Sequence, residues 1–445
     1  MRTPLPARRA VITGVGVLAP GGTGTERFWS LLSEGRTATR GITLFDPSPF
    51  RSRVAAEVDF DPLLHGLTPG ETGRMDRAAQ FGVVAARAAL ADSGLGPADL
   101  DPHRTGVSIG TAAGAASGLD AEYRAARDGG RTSGPVPCTV PGQVPGPSPD
   151  GSAPDRSAPG RLYDFLVPSS FSAEVARAVG AEGPSALVST GCTAGLDAVG
   201  HAVDLIREGA ADVMVTGATD APISPITLAA FDAIRATTSL NDEAETASRP
   251  FDATRAGFVL GEGAAVFVVE ELAAARRRGA RIYAEIAGYA SRCSAFHMTG
   301  LRPEGRELAE AVRVALDGAG LNPESVDYVN AHGSGTRQND RHETAALKLA
   351  LGEHAYRTPV SSIKSMVGHS LGAIGSIEIA ASVLAMEHHV VPPTANLRTP
   401  DPECDLDYVP LVAREHRTDT VLTVGSGFGG FQSAMVLARP DRSTL

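Results

Sequence analysis

The chain contains little cysteine and no long uncharged apolar run, and each shortage argues against a class of protein. Four of its 445 residues are cysteines, which lie far apart and form no Cys-x-x-Cys pair: Cys138, Cys192, Cys293 and Cys404. This pattern does not favour a disulfide framework or a structural zinc site, and it suits a reducing cytoplasm. Since no uncharged apolar run is long enough to cross a bilayer, no membrane is expected as a partner.

Basic residues are in the minority. The chain has 40 Lys and Arg residues and 51 Asp and Glu residues, so the formal net charge is −11. An acidic surface of that size does not favour nucleic acid as a partner. Ala, Gly and Val are abundant, and apolar residues make up 42% of the chain. A chain of this length can bury a substantial core without disulfides or metals, which fits a closely packed α/β protein.

Short apolar runs, typical of buried strands, alternate with Ala-rich helical segments. Strands are predicted at 10–17, 106–110, 186–189, 213–217 and 264–269, with helices at 77–92 and 171–179. The rhythm restarts near residue 275, with strands at 281–289, 326–330, 360–362 and 421–424 and a helix at 372–386. The alternation predicts strands enclosed by helices. Its repetition suggests two duplicated halves, 1–275 and 276–445.

Residues 129–160 differ from the rest in being dense in Pro, Gly and Ser. Such a segment cannot bury enough apolar surface to offset its ordering entropy. We expect an exposed, flexible loop within the first half and not a linker between domains.

The first candidate site is Cys192, in the run VSTGCTAGLDAVGHAVDLI at 188–206. A β-rich run ends just before it, Gly191 allows a tight turn, and the cysteine opens an apolar helix. A sulfur at a helix N-terminus experiences a partial positive charge that favours the thiolate. The alternative is a buried structural cysteine, the commoner fate of this residue type. The motif alone does not decide between them.

The second candidate site is His332, in VDYVNAHGSGTRQND at 326–340. A predicted strand delivers the histidine into a Gly-rich turn that carries the hydroxyls of Ser334 and Thr336. The flexible Gly-Ser-Gly segment lets a ligand approach closely, and Asp340 is placed to support the turn. For a lone histidine, a satisfied core position would be the better interpretation.

The third candidate site is His369, in PVSSIKSMVGHSLGAIGSIEIA at 359–380. A strand runs into Lys364, and the histidine precedes a small-residue helix carrying Glu378. The lysine and glutamate are expected to form a partly buried pair that orients the histidine, because apolar residues surround them. The alternative is a pair of solvated helix charges.

The fourth candidate site is Phe428, at the tip of a glycine-rich turn in VLTVGSGFGGFQSAMVLA. Glycines on both sides of the ring suggest a mobile gate. The alternative is a hairpin with an aromatic plug.

One further motif does not predict a site. His342 and Glu343 begin an H-E-x-x-H zinc pattern, but Ala346 stands where the second histidine is needed, so no metal is predicted.

One nucleophile and two histidines, each at a strand-to-turn junction, form a coherent set for making carbon–carbon bonds. A cysteine can hold an acyl chain as a thioester. Two imidazole N–H groups can stabilise the enolate that a malonyl thioester gives when it loses carbon dioxide. Backbone N–H groups near Cys192 and Phe428 can stabilise the oxyanion that forms when the acyl chain is attacked.

These motifs resemble those of β-ketoacyl synthases of the thiolase-like fold. More narrowly, the chain resembles the catalytic ketosynthase alpha subunit of bacterial aromatic, type II polyketide synthases. The segments that carry the resemblance are VSTGCTAGLD, NAHGSGTRQNDRHETAA, SSIKSMVGHSLGAIGS, VGSGFGGFQSAMVL, SRPFDATRAGFVLGEGAA and HMTGL. Relatives commonly carry Ser where Ala194 stands, a small change that should preserve catalysis.

The resemblance implies a five-layered α-β-α-β-α fold built from two duplicated halves. It implies that Cys192 is acylated, that His332 and His369 promote decarboxylation, and that Lys364 and Glu378 support them. It further implies contacts of Ser334 and Thr336 with the phosphopantetheine arm of an acyl carrier protein, a supporting Asp340, and Phe428 as gate and oxyanion donor. No diffusible cofactor or metal is expected, and the usual partner is a chain-length factor in a heterodimer.

Three alternatives stay open. A fatty-acid elongating β-ketoacyl synthase II, acting as a homodimer, would use the same three catalytic residues. A non-catalytic scaffold of the chain-length-factor type would lack the nucleophile, so Cys192 argues against it. A thiolase-type enzyme without decarboxylation would need a second cysteine near the site, and Cys404 lies in a polar segment that does not suit that role.

Overall fold

The computed structural model describes residues 8–128 and 159–440. Strands in this part of the chain are β1 (Ala10–Ala19), β2 (Gly22–Thr23), β3 (Arg40–Gly41), β4 (Val54–Ala56), β5 (Thr105–Gly110), β6 (Ser185–Val188), β7 (Val213–Asp220), β8 (Leu260–Gly261), β9 (Gly263–Glu271), β10 (Ala284–Cys293), β11 (Tyr328–Asn330), β12 (Val360–Ser361), β13 (Val390–Val391), β14 (Arg414–Glu415), β15 (Thr420–Gly427) and β16 (Phe431–Ala438). The α-helices are α1 (Thr25–Ser33), α2 (Pro69–Arg74), α3 (Arg77–Asp92), α4 (Ala116–Asp128), α5 (Pro159–Leu166), α6 (Ser170–Val179), α7 (Ala194–Arg207), α8 (Pro225–Ala233), α9 (Leu272–Arg277), α10 (Arg306–Ala319), α11 (Arg337–Leu351), α12 (Lys364–Val367) and α13 (Ile374–His388).

The main sheet repeats one strand order twice. From edge to edge it runs β12, β11, β15, β16, β10, β1, β9, β7, β5 and β6, and β2 pairs with β1. Counted outwards from the centre, the first half contributes β1, β9, β7, β5 and β6, and the second half contributes β10, β16, β15, β11 and β12. In both halves these are the first, fifth, fourth, second and third of the five strands in chain order. The two halves join where β1 and β10 pair antiparallel, at Val11 opposite Glu285 and Ile12 opposite Ala284. The repeated order supports the expected duplication, while the boundary at 275 stays a prediction.

The two central strands also share an irregularity. The register of β1 shifts between Ile12 and Gly14, and that of β10 shifts between Ile286 and Gly288. A Cβ atom on Gly14 would lie 2.1 Å from the carbonyl oxygen of Ala89 in α3. One on Gly288 would lie 1.9 Å from the equivalent oxygen in α10. Both glycines therefore let an outer helix lie directly against the sheet.

The helices form three layers around the two halves of the sheet. Helices α3 and α6 cover the strands of the first half, and α10 covers those of the second half with α11 packed on it. Helices α7 and α13 contact each other and strands from both halves, so they form the middle layer. The fold is therefore the five-layered α-β-α-β-α arrangement of the thiolase-like class.

Helix α13 is apolar enough, by length and composition, to cross a membrane. The stretch concerned is Leu371–His388, and 89% of it is buried inside the protein. Because it contacts α7 on one side and strands on others, it needs an apolar surface all round. Its composition is therefore that of a core helix.

Most predicted elements are confirmed, with different ends. The strand predicted at 281–289 instead spans Ala284–Cys293, because 281–283 precede the pairing with β16. The strand predicted at 421–424 is twice as long, since it continues to Gly427 in a hairpin with β16. Of the predicted flexible loop 129–160, positions 129–158 lie outside the described residues, and Pro159 begins α5 instead of ending a loop.

Candidate active site

A cavity of about 220 Å³ lies where the two halves meet. Cys192 reaches it from the first half, and His332 and His369 reach it from the second. The two imidazole ring centroids are 5.3 Å apart and their planes are inclined at 82°. The structure thus brings the sulfur and both imidazoles together, as expected. Of the other candidate residues, Ser334, Thr336 and Phe428 also line the cavity, whereas Lys364, Glu378 and Asp340 lie buried behind it.

The turn that carries Cys192 is short and tightly held. Strand β6 ends at Val188, Gly191 adopts a φ of 62°, and a single 3₁₀ turn leads into α7. The carboxylate of Asp197 accepts hydrogen bonds from the hydroxyls of Thr190 and, at 2.8 Å, Thr193. The turn is therefore anchored to the first turn of the helix that it opens.

Asp197 also ties this turn to the second half. The hydroxyl of Tyr289 on β10 donates to it at 2.8 Å, and that of Ser433 on β16 donates at 2.5 Å. One carboxylate thus joins the nucleophile's turn to two strands of the opposite half.

The environment of the Cys192 sulfur opposes its ionisation. Burial raises the pKa of the thiol to about 12, while Lys364 and a hydrogen bond from the backbone of Phe428 act in the opposite direction. The position before helix α7 is as expected, but the expected thiolate is wrong, because burial outweighs the favourable charges. Cys192 therefore rests as a thiol and must lose its proton during acyl transfer.

His332 is held by a buried carboxylate behind its backbone. It follows strand β11, and Glu343 accepts its N–H at 2.6 Å and that of Gly333 at 2.7 Å. Burial raises the pKa of Glu343 to about 8. The two backbone bonds fix the direction in which the turn presents the imidazole.

Lys364 determines the tautomer of His332. Its Nζ lies 3.3 Å from Nδ1 of the ring and also donates to the backbone carbonyl of the same residue. Because a lysine ammonium offers hydrogens and no acceptor, it leaves Nδ1 as the acceptor and places the ring proton on Nε2. Burial, followed by the charge of Lys364, lowers the pKa of His332 well below 6.5. His332 is therefore a neutral N–H donor at physiological pH.

The pair formed by Lys364 and Glu378 is more deeply buried than expected. Their side chains are 1% and 0% exposed, and the ammonium donates to Oε1 of the glutamate. Burial raises the pKa of Glu378 to about 7, with Lys364 acting in the opposite direction. The pair holds the lysine against His332 and does not touch His369 through any hydrogen bond within the described residues.

His369 is fixed through its backbone. Its N–H donates to the carbonyl of Val259 at 2.8 Å, and its carbonyl accepts from Gly261 at 2.9 Å. The ring meets Phe258 edge to face at 5.2 Å. Burial lowers the pKa of His369 well below 6.5, and its Nδ1 has no hydrogen-bond partner in the described part of the chain. The imidazole is thus neutral, with its Nδ1 buried.

The turn after His332 contains two hydroxyls that face the cavity. Ser334 Oγ and Thr336 Oγ1 lie 3.1 Å apart. Thr336 also caps helix α11 by accepting the N–H of Asn339 at 3.3 Å. Asp340 supports the turn as expected, since it accepts the N–H of Gly335 at 3.2 Å.

Phe428 occupies the tip of the hairpin between β15 and β16. Gly429 and Gly430 follow it with φ values of 89° and 90°. Residues with a side chain rarely adopt such values. The ring is 39% exposed and lies 6.4 Å from the ring of Phe231 across the cavity mouth. The backbone of Gly429 donates to the carbonyl of Met298 at 2.6 Å, which connects the tip to a neighbouring loop.

Sequence reasoning missed three buried carboxylates that build this site: Asp197, Asp220 and Glu343. Glu343 belongs to the incomplete zinc pattern and lies in a helix rich in polar residues, so its segment does not indicate a buried role. Asp220 accepts one hydrogen bond from the turn that follows His369 and three from the loop after β5. The partners of the three carboxylates are hydroxyls and backbone N–H groups, several of them distant in sequence, so no local pattern indicates these contacts.

Cys404 does not provide a second catalytic sulfur. It lies in a polar loop, as expected, with its own side chain buried and its sulfur 4.0 Å from the guanidinium of Arg255. It does not line the cavity that holds Cys192. The geometry therefore does not favour a thiolase-type site with two cysteines.

Comparison with known families identifies the chain. The model of the beta-ketoacyl synthase N-terminal domain matches residues 7–146 and 150–275, and that of the C-terminal domain matches residues 283–398. The chain belongs to the beta-ketoacyl synthase family and is an acyltransferase.

Several relatives with high identity are named as polyketide ketosynthases. A Streptomyces virginiae protein named polyketide beta-ketoacyl synthase 1 is 69% identical over 98% of this chain and 99% of its own length. The tetracenomycin polyketide synthase ketoacyl synthase alpha subunit of Streptomyces glaucescens is 62% identical, with 98% of each chain covered. A chain matches in the solved structure of a type II PKS acyl-carrier protein in complex with its ketosynthase. It is 36% identical, with a TM-score of 0.85, and the match covers 98% of this chain and 100% of the matched chain. The ishigamide ketosynthase/chain length factor is 34% identical, with the same TM-score and coverage.

Proposed function

We propose that this protein elongates a polyketide chain by decarboxylative Claisen condensation of an acyl group on Cys192 with a malonyl group on an acyl carrier protein. The observation that carries the proposal is the joint placement of Cys192, His332 and His369 in one cavity. The buried Lys364 strengthens it, because it makes His332 a neutral N–H donor.

The first step transfers the acyl chain to the enzyme. The Cys192 sulfur attacks the carrier's thioester carbonyl, the Cys192 proton passes to a neutral imidazole, and the carrier's thiol leaves with a proton. His369 is suited to accept the proton, because its ring is neutral and lines the same cavity as Cys192. The product is a thioester on Cys192 and a free phosphopantetheine thiol.

The second step generates the carbon nucleophile. Loss of carbon dioxide from the malonyl thioester leaves its electron pair as an enolate. The N–H of His332, with His369 beside it, is placed to donate to the enolate oxygen. Each such preorganised donor typically contributes about 3–4 kcal/mol to transition-state stabilisation. No metal is needed for this stabilisation.

The third step forms the carbon–carbon bond. The enolate carbon attacks the carbonyl on Cys192, and the resulting oxyanion is positioned for the backbone N–H groups of Cys192 and Phe428. Gly427 allows this approach, since a Cβ atom there would lie 3.3 Å from the nitrogen of Cys192. Collapse of the intermediate expels the Cys192 sulfur, which takes up a proton from solvent water, and leaves a β-ketoacyl carrier protein.

The remaining candidate residues serve the arm that delivers the substrates. Ser334 and Thr336 would contact the phosphopantetheine arm, with Asp340 holding their turn. Phe428 would act as a gate, since its ring is partly exposed at the cavity mouth. The arm arrives on the carrier protein, so no diffusible cofactor is required. In this scheme the half 1–275 supplies the nucleophile and the half 276–445 supplies both histidines.

The partners follow from the relatives. An acyl carrier protein would bring both substrates, and a chain-length factor would complete a heterodimer in the cytoplasm. A Coxiella burnetii 3-oxoacyl-[acyl-carrier-protein] synthase 2 is 42% identical over 97% of the chain, so a fatty-acid synthase acting as a homodimer is the second candidate. The higher identities to polyketide enzymes favour the first.

The test is product formation from malonyl-loaded carrier protein, with and without a chain-length factor. We expect a polyketide product only with the partner and an acyl adduct on Cys192 by intact mass, absent in Cys192→Ala. Cys293→Ala, which changes an exposed cysteine outside the cavity, should retain the adduct. Efficient elongation of fatty acyl carriers by this chain alone would overturn the polyketide assignment.

A further inference from the structure

The internal duplication pairs the turn of Cys192 with a turn beside His369. Helices α7 and α13 each begin after a single 3₁₀ turn, Gly191–Thr193 and Leu371–Ala373. The first residue of each turn has positive φ, 62° for Gly191 and 49° for Leu371. A leucine rarely adopts this conformation, so the surrounding structure must hold it there.

Strands β7 and β15 occupy equivalent positions in the two halves and differ at their ends. Strand β15 ends at Gly427, beside the backbone nitrogen of Cys192. Strand β7 ends at Asp220, beside the backbone nitrogen of Gly372. Where one half leaves room for a substrate oxygen, the other half places its own carboxylate.

Asp220 is fully buried and bonded on both oxygens. Oδ2 accepts the N–H groups of Gly372 at 2.7 Å and Ala112 at 2.8 Å. Oδ1 accepts the hydroxyl of Thr111 at 2.7 Å and the N–H of Ala113 at 3.0 Å. The carboxylate thus clamps the turn after His369 to the loop after β5. Position 372 requires glycine, since a Cβ atom there would lie 2.6 Å from Oδ2.

We propose that Asp220 is a positioning residue for the condensation reaction, holding the strained turn at Leu371 so that His369 faces the substrate carbonyl. This inference rests on the proposed function. His369 stands two residues before Leu371, and its own hydrogen bonds are made only by its backbone among the described residues. A shift of about 1 Å in a catalytic group can cost roughly 100-fold in rate.

The charge of Asp220 provides an independent readout. It raises the pKa of the Cys192 thiol, as does Glu378, whereas Lys364 lowers it. Burial raises the pKa of Asp220 itself to about 6, so above that pH the carboxylate is ionised. Asp76 is another buried carboxylate that interacts electrostatically with it.

The experiment compares Asp220→Asn and Thr111→Val with the unchanged enzyme. The asparagine amide would face N–H donors, so we expect kcat for decarboxylation to fall by about tenfold or more with little change in KM. Loss of the negative charge should also move the midpoint of Cys192 alkylation by iodoacetamide to lower pH. Thr111→Val removes one of four hydrogen bonds and keeps the charge, so kcat should fall by about threefold with no shift in the alkylation midpoint.

Asp76→Asn is the matched control. Asp76 is buried but caps helix α3 by accepting the N–H of Ala79 at 2.9 Å, so kcat should stay within about twofold. If Asp220→Asn folds, unchanged kcat together with an unchanged alkylation midpoint would overturn the inference. If Asp220→Asn does not fold, unchanged kcat in Thr111→Val would overturn it. If Cys192→Ala and His332→Ala also kept full condensation activity, the proposed function itself would fail instead.

Discussion

Replacing Lys364 by methionine should damage stability and chemistry by separate routes. The side chain is 1% exposed and pairs with a glutamate that is 0% exposed. Removing one partner of such a pair leaves a buried charge and typically costs about 3–5 kcal/mol. Removing both charges, in Lys364→Met with Glu378→Gln, should recover most of that stability.

The chemistry should not recover with the stability. Lys364 also fixes the proton of His332 on Nε2, and neither variant restores a donor to Nδ1. At metal-bound histidines, loss of the partner that orients the ring costs roughly 10- to 100-fold in activity. We expect a similar fall in malonyl decarboxylation in both the single and the double variant.

The two effects can be measured side by side. Thermal unfolding should show the single variant to be less stable at pH 8 than at pH 6. Without the lysine the pKa of Glu378 rises further above its value of about 7, and a raised carboxyl pKa gives stability that is lost as pH rises through it. Carbon dioxide release from malonyl carrier protein measures the chemistry. Lys348→Met, which breaks a surface pair with Asp405, should cost at most about 1 kcal/mol. Recovery of decarboxylation together with stability in the double variant would refute the tautomer argument.

Two further predictions follow from burial. Because burial holds the pKa of both His332 and His369 well below 6.5, neither imidazole should take up a proton between pH 8 and 6.5. The contribution of the two rings to stability should decline only below pH 6.5, where the unfolded chain takes up protons; an imidazole protonation midpoint at or above pH 6.5, followed by NMR, would contradict this. Gly288→Ala should lower the thermal unfolding temperature, at a cost of about 1–3 kcal/mol, because its Cβ atom would meet a backbone oxygen at 1.9 Å. Gly318→Ala in α10, with nothing within 4 Å of its Cβ, should instead stabilise the protein by about 0.5–1 kcal/mol. Equal changes of unfolding temperature in the two variants would disprove the packing argument.

Sequence patterns predicted the elements and the nucleophile more completely than the supporting groups. Strand and helix periodicity is local, so the positions of β1 and α3 could be inferred from neighbouring residues. The ends of β15 and β10 could not, because they depend on pairing with β16, a strand whose bounds the hydrophobic pattern did not give. The thiolate expected at Cys192 failed for a similar reason, since burial is a property of the whole fold and not of the motif.

The buried carboxylates show where local reasoning ends. Asp197 receives hydroxyls from residues 92 and 236 positions away, and Asp220 receives an N–H from a residue 152 positions away. Glu343 contacts a backbone ten and eleven residues earlier, yet its segment matched only an incomplete zinc pattern. Asp197 and Asp220 lie among apolar residues, which marks them as exceptional without indicating their partners, whereas polar residues surround Glu343.

The duplication explains why one half carries the nucleophile and the other carries the histidines. Both halves bring a helix to the cavity behind the same kind of turn, but only the first places a cysteine there. In the second, Gly372 stands at the same place, and its N–H is already taken by Asp220. The second turn cannot then offer that N–H to a substrate oxygen, so it can only hold His369. We therefore expect an asymmetric site in which the first turn supplies the nucleophile and an N–H for the oxyanion, while the second turn only positions His369.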